Sequence, residues 1–334
     1  MTQFRGVSVS TLVLAQIVLA PAFGDTLSDP IYIANRGPLM INSGLPGSES
    51  AQLLPPGEFS LGVFMDVTSN ATHDLSPNEE ITLDGQSSHA DLRIRYGIRE
   101  KWELGIDVVR VAHNGGRWDG FIEAWHDLFA LTQGDRDKQP DDRLLYNYQK
   151  DGQVLLNHRK ESVGMGDLRL SAAYQISSDI DSQLAVRGGV ELGTGDASDL
   201  LGSESTDVHL ELVSSRMLHL DRRSLHVTGG IGILVRGDSE ILSKLQNDRV
   251  GYGFIGVDVG VSESIRLKIQ LNGHTSPYRG IPKELDSGSV IVTLGGTARS
   301  TRNWLFDVSV SEDIVGATPD ITFQLGIRYQ LNSD

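Results

Sequence analysis

Cysteine is absent from this chain of 334 residues. Disulfide bonds, thiolate zinc sites and cysteine nucleophiles are therefore excluded. Positive charge is scarce, because 29 Lys and Arg residues face 44 Asp and Glu residues, for a formal net charge of −15. This balance argues against a nucleic-acid partner, whose phosphates require a basic surface. The nine histidines lack the paired spacing of a helical metal site, so we predict no metal and no cofactor.

Long apolar runs are also lacking, since no stretch reaches the roughly 18 residues of a membrane-spanning helix. The longest candidate lies at the N-terminus, where Arg5 precedes an apolar run over residues 7–20. Small residues Ala22 and Gly24 then occupy positions −3 and −1 of a cleavage site. We therefore predict that residues 1–24 are a signal peptide. A buried N-terminal helix is the alternative.

What the rest of the chain does contain is apolar residues at every second position. For example, Leu92, Ile94, Tyr96 and Ile98 alternate with Asp91, Arg93, Arg95 and Gly97. This period of two is typical of strands with one apolar face. It recurs in twelve segments, at 59–67, 91–98, 102–108, 165–177, 182–194, 206–217, 223–236, 249–261, 264–275, 287–299, 302–312 and 319–330.

Short turns between these segments alternate with longer polar connections. The longer ones are 68–80, 112–164, 195–205, 237–248, 276–286 and 313–318. Bacterial outer-membrane barrels have this arrangement, with tight periplasmic turns and longer extracellular loops. The fold class predicted is therefore all-β, a transmembrane antiparallel β-barrel of about 12 strands over residues 57–330, preceded by a periplasmic or lumenal segment, 25–56. A soluble β-sandwich is the alternative, but its long loops would not collect at one end.

Assigning the apolar residues to the lipid face places charged residues in the lumen. The inward acids would be Asp91, Glu103, Asp107, Asp167, Glu191, Asp207, Glu211, Asp258 and Asp307. The inward bases would be Arg93, Arg95, Arg169, Arg187, Arg236, Arg266, Lys268, Arg299 and Arg328. Equal numbers of both signs predict a cross-linked, narrow or gated interior, although each residue alone could serve only a structural ion pair. Lumen candidates are His89, Asp91, Arg93, Arg95, Asp107, Asp167, Arg169, Arg187, Glu191, Asp207 and Glu211.

The long loop 112–164 has helical periodicity within it. Phe121, Ile122, Trp125, Leu128 and Phe129 fall on one face of a helix predicted over about 119–133. A hairpin signal at Lys150-Asp151-Gly152-Gln153 follows. An apolar helical stripe needs a surface to pack on, so we predict that this loop is extracellular and folds over the mouth. The constriction candidates are Phe121, Ile122, Glu123, Trp125, His126 and Phe129.

Three groups of residues resemble an uncharacterised bacterial outer-membrane barrel family, domain-of-unknown-function family 3187. The first is Ile33-Ala34-Asn35-Arg36-Gly37-Pro38 with Gly44-Leu45-Pro46. The second is Gly120-Phe121-Ile122-Glu123 with His126, Phe129, Arg136 and Pro140. The third is Gly193-Thr194-Gly195-Asp196 with Leu201-Gly202-Ser203 and Asp207. The third is also distantly similar to porin-like barrels of aromatic-degradation operons. The resemblance implies a barrel and no established activity.

These observations predict a monomeric channel or transporter in the outer membrane of a Gram-negative bacterium. Its solute would be small, and the distant resemblance implies that it is apolar or aromatic. Its other partners would be outer-membrane lipid and lipopolysaccharide, together with the barrel-assembly machinery. A closed structural or surface-interaction barrel is the alternative.

An enzyme is the third and least supported prediction. His274-Thr275-Ser276 supplies the His-x-Ser pair of outer-membrane phospholipases. Pro277 follows Ser276, however, so the phospholipase continuation Ser-Asn-Gly-Arg is missing. We therefore predict no catalytic residues.

Overall fold

A closed antiparallel barrel forms most of the protein in this computed structural model. The structure describes residues 26–41, 43–116, 120, 122, 124, 140–220, 223–316 and 319–331. Its strands are β1 Phe59–Leu75, β2 Glu79–Arg99, β3 Trp102–Asn114, β4 Leu145–Lys150, β5 Gln153–His158, β6 Ser162–Met165, β7 Leu168–Ser178, β8 Ser182–Leu192, β9 Asp207–Leu220, β10 Arg223–Val235, β11 Arg249–Ser262, β12 Ile265–His274, β13 Ser289–Arg299, β14 Trp304–Gly316 and β15 Ile321–Leu331.

Twelve of these strands build the wall: β1, β2, β3 and β7 to β15. Consecutive wall strands pair antiparallel, and β1 pairs with β15 from Phe59↔Leu331 to Ser69↔Ile321, which closes the sheet. Closure leaves no wall strand with unpaired backbone groups facing lipid. The prediction of an all-β, twelve-stranded barrel is confirmed.

Three short helical turns lie outside the strands, and Gly120, Ile122 and Ala124 of the long loop are also helical. Two are 3-10 turns, Thr26–Ser28 and Ser243–Leu245, and one is an α-helical turn, Lys283–Asp286. Within the described residues, no helix is long and apolar enough to cross a membrane.

The outward side chains form an apolar belt. On β12, Leu267 and Ile269 are 54% and 49% exposed, whereas Arg266 and Lys268 are buried. Aromatic pairs lie at the end with the short turns, where Trp102 and Tyr174 have ring centroids 5.1 Å apart. Outer-membrane barrels have aromatic girdles at both interfaces and short turns on the periplasmic side, so the short turns assign this end to the periplasm.

The prediction of a loop over residues 68–80 was wrong. Strands β1 and β2 pair as far as Leu75↔Glu80, and residues 76–78 alone connect them. The apolar alternation stops near residue 68 because the hairpin has risen above the lipid there. A hydrogen-bonded ladder needs no lipid-facing apolar side, and the extension of β2 instead packs Ile81 and Leu83 into a buried cluster with Tyr146 and Tyr148.

The predicted strand 165–177 is interrupted. Strands β6 and β7 both pair with β3, and Gly166 and Asp167 separate them. The hairpin predicted around Asp151-Gly152 is present as β4 and β5, with positive φ at both turn residues. Strand β4 also pairs with the extension of β2, from Glu79↔Lys150 to Asp84↔Leu145. The barrel sheet is therefore extended at the extracellular end by β4 and β5.

Candidate functional site

The lumen is lined by the charged residues that alternate with the apolar belt. All eleven lumen candidates on the wall are buried: His89, Asp91, Arg93, Arg95, Asp107, Asp167, Arg169, Arg187, Glu191, Asp207 and Glu211. They point inward because successive strand residues face opposite sides of the sheet. Their burial shows that they lie inside the barrel, and it does not by itself assign them a role in transport.

Cross-strand ion pairs connect many of these groups. Arg169 lies directly opposite Glu191 across β7 and β8, and their side chains form an ion pair. Nη1 of Arg95 is 2.5 Å from Oδ1 of Asp107, its diagonal neighbour, which lies two residues from the directly opposite Gly105. Buried charges require such partners, and directly opposite or diagonal neighbours supply them. The wall is thereby cross-linked on its inner face.

The chain before β1 runs through this lumen. We call residues 26–58 the N-terminal segment. Its first part contacts three wall strands: the backbone of Ile31 bonds Gln270, the hydroxyl of Tyr32 donates to Asp91 at 2.8 Å, and Nε of Arg36 is 2.8 Å from Asp66.

The second part of the segment returns toward the periplasmic end. Glu49 forms ion pairs with Arg93 and Arg95, the latter at 2.8 Å. Nε of Arg187 donates to the carbonyl oxygen of Ser50 at 2.7 Å. The segment then reaches the β2–β3 turn, where the backbone of Gly57 donates to Gly97 at 2.8 Å. It thus enters and leaves the lumen at the same end.

Two glycines allow this path. Gly44 has φ +70 and lies against Asp207, so a Cβ there would be 2.5 Å from Oδ2 of that carboxylate. Gly47 lies against the ring of Tyr32, and a Cβ there would overlap the ring. The first allows the segment to turn and the second allows its two parts to pack side by side.

An apolar cluster covers the tip of the segment at the extracellular end. Leu39 and Met40 of the segment belong to it, and the remainder comes from the loops and from β2 and β4. We define the extracellular cap as this cluster: Leu39, Met40, Ile81, Leu83, Tyr146, Tyr148, Ala197, Leu200, Ile241, Leu242, Tyr278 and Leu285. Seven of the twelve are less than 2% exposed. The cap excludes water from this end of the lumen.

Glu79 connects three elements beneath the cap. Its carboxylate accepts hydrogen bonds from Tyr148 at 2.8 Å, from Lys150 at 2.6 Å and from the backbone N–H of Ile281 at 3.1 Å. Burial acts to raise the pKa of Glu79, but these donors outweigh it and hold the pKa below its ordinary value.

Asp167 plays a similar part between the wall and the loop after β8. It accepts hydrogen bonds from the backbone N–H groups of Gly195 and Ser203, both at 2.7 Å, and from the Ser203 hydroxyl at 2.9 Å. Leu201 of that loop packs with Ile41, Val109 and Val111. Asp207 of the third resemblance group also lies against Gly44 of the first group, so the two groups meet in the lumen.

Among the described residues, two small cavities lie above the periplasmic third of the lumen. Both are beside Gly47 and Glu211, and they measure about 30 Å³ each. A larger cavity of 660 Å³ lies at the periplasmic end, bordered by the beginning of β1 and the end of β15. We call it the periplasmic vestibule. In the described residues, no cluster of three or more His, Asp or Glu side chains could hold a metal ion.

The long-loop candidates are mostly outside the described residues. Of the constriction candidates, Phe121, Glu123, Trp125, His126 and Phe129 fall there, as do the signal peptide and most of the predicted helix 119–133. Ile122 is described and is 2% exposed.

The His-x-Ser residues have other partners. Nε2 of His274 accepts a hydrogen bond from Asn35 at 3.1 Å, and Nδ1 of that ring lies 2.9 Å from the carbonyl oxygen of Thr275. The Ser276 hydroxyl donates to the carbonyl oxygen of Tyr278 at 2.5 Å. In this geometry His274 does not contact the Ser276 hydroxyl as a general base would.

Comparison with known structures agrees with this architecture. The COG4313 outer membrane channel from Pseudomonas putida F1 aligns with a TM-score of 0.56 and 14% identity, over 84% of this chain and 98% of that chain. The NanC porin aligns with a TM-score of 0.47 and 10% identity, over 81% and 100%. The P. putida toluene transporter TodX aligns with a TM-score of 0.37 and 12% identity, over 84% and 91%. No curated protein sequence matches this chain.

The closed twelve-stranded wall, its apolar belt and its polar interior define an outer-membrane β-barrel of a Gram-negative bacterium. The likeness to the Pseudomonas putida barrel supports this fold. The chain belongs to the family described as "Protein of unknown function (DUF3187)", which it matches over residues 4–331. The predicted family, fold and location are therefore confirmed.

Sequence reasoning missed the residues that reach the lumen from the N-terminal segment. Tyr32, Arg36 and Glu49 carry no periodicity, since the segment has no strand. The many charged residues predicted to face the lumen could have indicated that a further polar segment lies there, because buried charges need partners. Arg36 was noticed only through the family resemblance.

Proposed function

We propose that this protein is a gated outer-membrane channel whose lumen is closed by its N-terminal segment. The observation that carries the proposal is the way the segment is attached. None of its described residues belongs to a strand, and its contacts with the wall are largely side-chain hydrogen bonds and ion pairs. Its release would therefore leave the wall ladders intact. The similar Pseudomonas putida fold is that of a protein described as an outer membrane channel.

The solute we propose is small and includes apolar or aromatic molecules. Twelve strands leave a narrow passage, between the filled interior of about 8 strands and the wide channel of 16–18. Apolar side chains also line part of the path, where Ile41, Val109, Val111 and Leu201 pack together. We further propose that the protein acts as a monomer, with residues 57–330 as the barrel and the lumen candidates on its path.

Liposome swelling with purified protein tests the channel. Deleting residues 29–50, with the signal peptide kept, should increase solute flux at least tenfold over the full chain. Folding of both proteins is checked by resistance to proteolysis in the same liposomes. A folded deletion variant with no flux at any solute size would exclude a channel.

The alternative is a surface-interaction barrel, and one observation favours it. Strand β5 is at the end of the sheet order, and its Val154 and Leu155 are 57% and 44% exposed. An exposed strand edge can accept a strand from another protein. This role predicts no flux from the deletion variant, and loss of partner binding in a V154K/L155K variant that still folds.

Two membrane partners complete the proposal. The last strand, with Phe323, Leu325, Ile327 and Tyr329, would be the signal read by the barrel-assembly machinery. Acidic loops such as that containing Asp141 and Asp142 would face lipopolysaccharide, with divalent ions between them, because hard cations bind carboxylate oxygens. We propose no enzymatic activity, and an S276A variant should leave any calcium-dependent release of fatty acid unchanged.

A further inference from the structure

The periplasmic vestibule is rich in arginine for a protein with an excess of acids, although Asp107 and Asp307 outside its lining pair with Arg95 and Arg328. Six arginines line it, against four carboxylates from Asp29, Glu49, Glu58 and Glu103. The arginines are Arg93, Arg95, Arg187, Arg299, Arg302 and Arg328. Its volume of 660 Å³ lies within the roughly 300–1,000 Å³ of small-molecule sites.

Both parts of the N-terminal segment are held in the vestibule by a carboxylate. Glu49 forms ion pairs with Arg93 and Arg95, and Nη1 of Arg187 is 3.8 Å from its other oxygen. On the other side, Oδ2 of Asp29 is 2.6 Å from Nη1 of Arg328. The two carboxylates are 20% and 22% exposed, although the arginine side chains they contact are at least nine-tenths buried. The anchors can therefore be reached from the periplasm.

Two arginines around Glu49 have a hydrogen-bond donor that is not used. Within the part of the chain that the structure describes, Nε of Arg93 and Nε of Arg95 have no hydrogen-bond partner. The guanidinium of Arg93 also lies 3.6 Å from the centroid of the Tyr32 ring, which presents an aromatic surface beside the carboxylate. A guanidinium binds a carboxylate through two parallel hydrogen bonds. Glu49 thus occupies a site built for a carboxylate.

We infer that the vestibule binds small organic anions carrying a carboxylate, and that such a ligand displaces Glu49 and releases the N-terminal segment. This inference rests on the proposed channel and names its ligand class and its gate. The ligand competes with an anchor that is part of the same chain, whose effective concentration is on the order of millimolar or above. Opening therefore requires ligand at comparable concentration in the periplasmic solution.

Direct binding tests the site without relying on conductance. Isothermal titration of the purified full chain uses benzoate as the probe and benzamide as its neutral counterpart. Glu49→Gln keeps the size of the side chain but removes the competing charge, so it should bind benzoate at least tenfold more tightly than the wild type. Glu263→Gln, at an exposed periplasmic turn, should bind as the wild type does. Equal benzoate affinity in Glu49→Gln and wild type would overturn the site.

Planar-bilayer recording tests the gate. Benzoate on the periplasmic side should raise wild-type conductance severalfold and saturably, and benzamide should not. Glu49→Gln should conduct more than wild type without ligand, and Asp29→Asn serves as a second anchor variant should the first fail to fold. If the 29–50 deletion conducts but benzoate leaves the wild type closed, the inference fails and the channel stands. If the deletion does not conduct either, the channel itself fails.

Discussion

The Tyr148 hydroxyl donates a 2.8 Å hydrogen bond to Oε2 of Glu79, and this contact joins the β4–β5 hairpin to the tip of the β1–β2 hairpin. The lowered pKa of Glu79 gives the contact a dependence on pH. Its ordinary value is 4.5, and the folded value lies below that. A depressed carboxyl pKa stabilises the fold fully above the unfolded value, and this stabilisation is lost as pH falls through the folded value.

The extracellular cap should therefore loosen in acid. Between about pH 6 and about pH 3, protection of the β4 amides against hydrogen exchange should fall roughly tenfold, after correction for intrinsic exchange. In Glu79→Gln the protection should be lower at neutral pH, and its dependence on pH should largely disappear. If protection falls in acid by the same factor in the wild type and in Glu79→Gln, titratable groups other than Glu79 cause the loosening.

The packing of Gly47 against Tyr32 predicts a way to loosen the N-terminal segment. Gly47→Ala places a methyl group inside the Tyr32 ring, and such overpacking costs about 1–3 kcal/mol. The segment should be displaced while the wall persists, so liposome flux should rise severalfold. Gly251→Ala is the matched control, because its Cβ would meet Thr275 at an ordinary 3.6 Å. Identical flux from both variants would show that the close approach of Gly47 is unimportant.

The register of β12 can be tested by charge. Leu267→Arg puts a guanidinium on the lipid face, at a cost of about 2–4 kcal/mol near the midplane. Lys268→Arg keeps a buried inward cation and should change stability far less. Urea unfolding in lipid vesicles measures both. Equal stability of the two variants would contradict the assigned faces.

The long loop, residues 112–164, allows a test at the extracellular end of the barrel. Deleting Gly115–Lys160 removes β4 and β5, and with them Tyr146 and Tyr148 of the cap. A short Gly-Ser bridge in its place should leave a folded barrel with larger single-channel conductance than the full chain. The same deletion combined with removal of residues 29–50 separates the loop's contribution from that of the segment. An unchanged conductance in both backgrounds would remove the loop from the path.

The wall could be predicted because lipid imposes a strict rule on it. Leu267 and Lys268 have opposite environments, and the sequence records this as apolar and polar alternation. Outside the lipid this alternation is not required, so the sequence no longer predicts where the strands lie. Beyond residue 68 the β1–β2 hairpin packs against the cap and β4 instead of lipid, and β1 carries no apolar period there. Strand β4 was recognisable only through the turn chemistry of Asp151-Gly152.

The interior was predictable in composition but not in detail. Arg93, Arg95 and Arg187 were recognised as inward residues because they alternate with the lipid face. That Glu49 meets all three depends on a segment without regular structure, which periodicity cannot place. Val109 and Val111 illustrate the opposite difficulty. They are apolar yet face inward, because they pack on Ile41 and Leu201 instead of lipid.

The hydrogen bonds of the N-terminal segment also impose an order on biogenesis. Ile31 bonds Gln270, 239 positions later, and Asp29 bonds Arg328, 299 positions later. Contacts this remote in sequence form slowly, because the intervening chain must be ordered first. Asp29 therefore acquires its partner Arg328 only when the last strand, β15, is in place. The segment enters and leaves the lumen at the periplasmic end, so the seam between β1 and β15 can close before the segment makes its last contacts there.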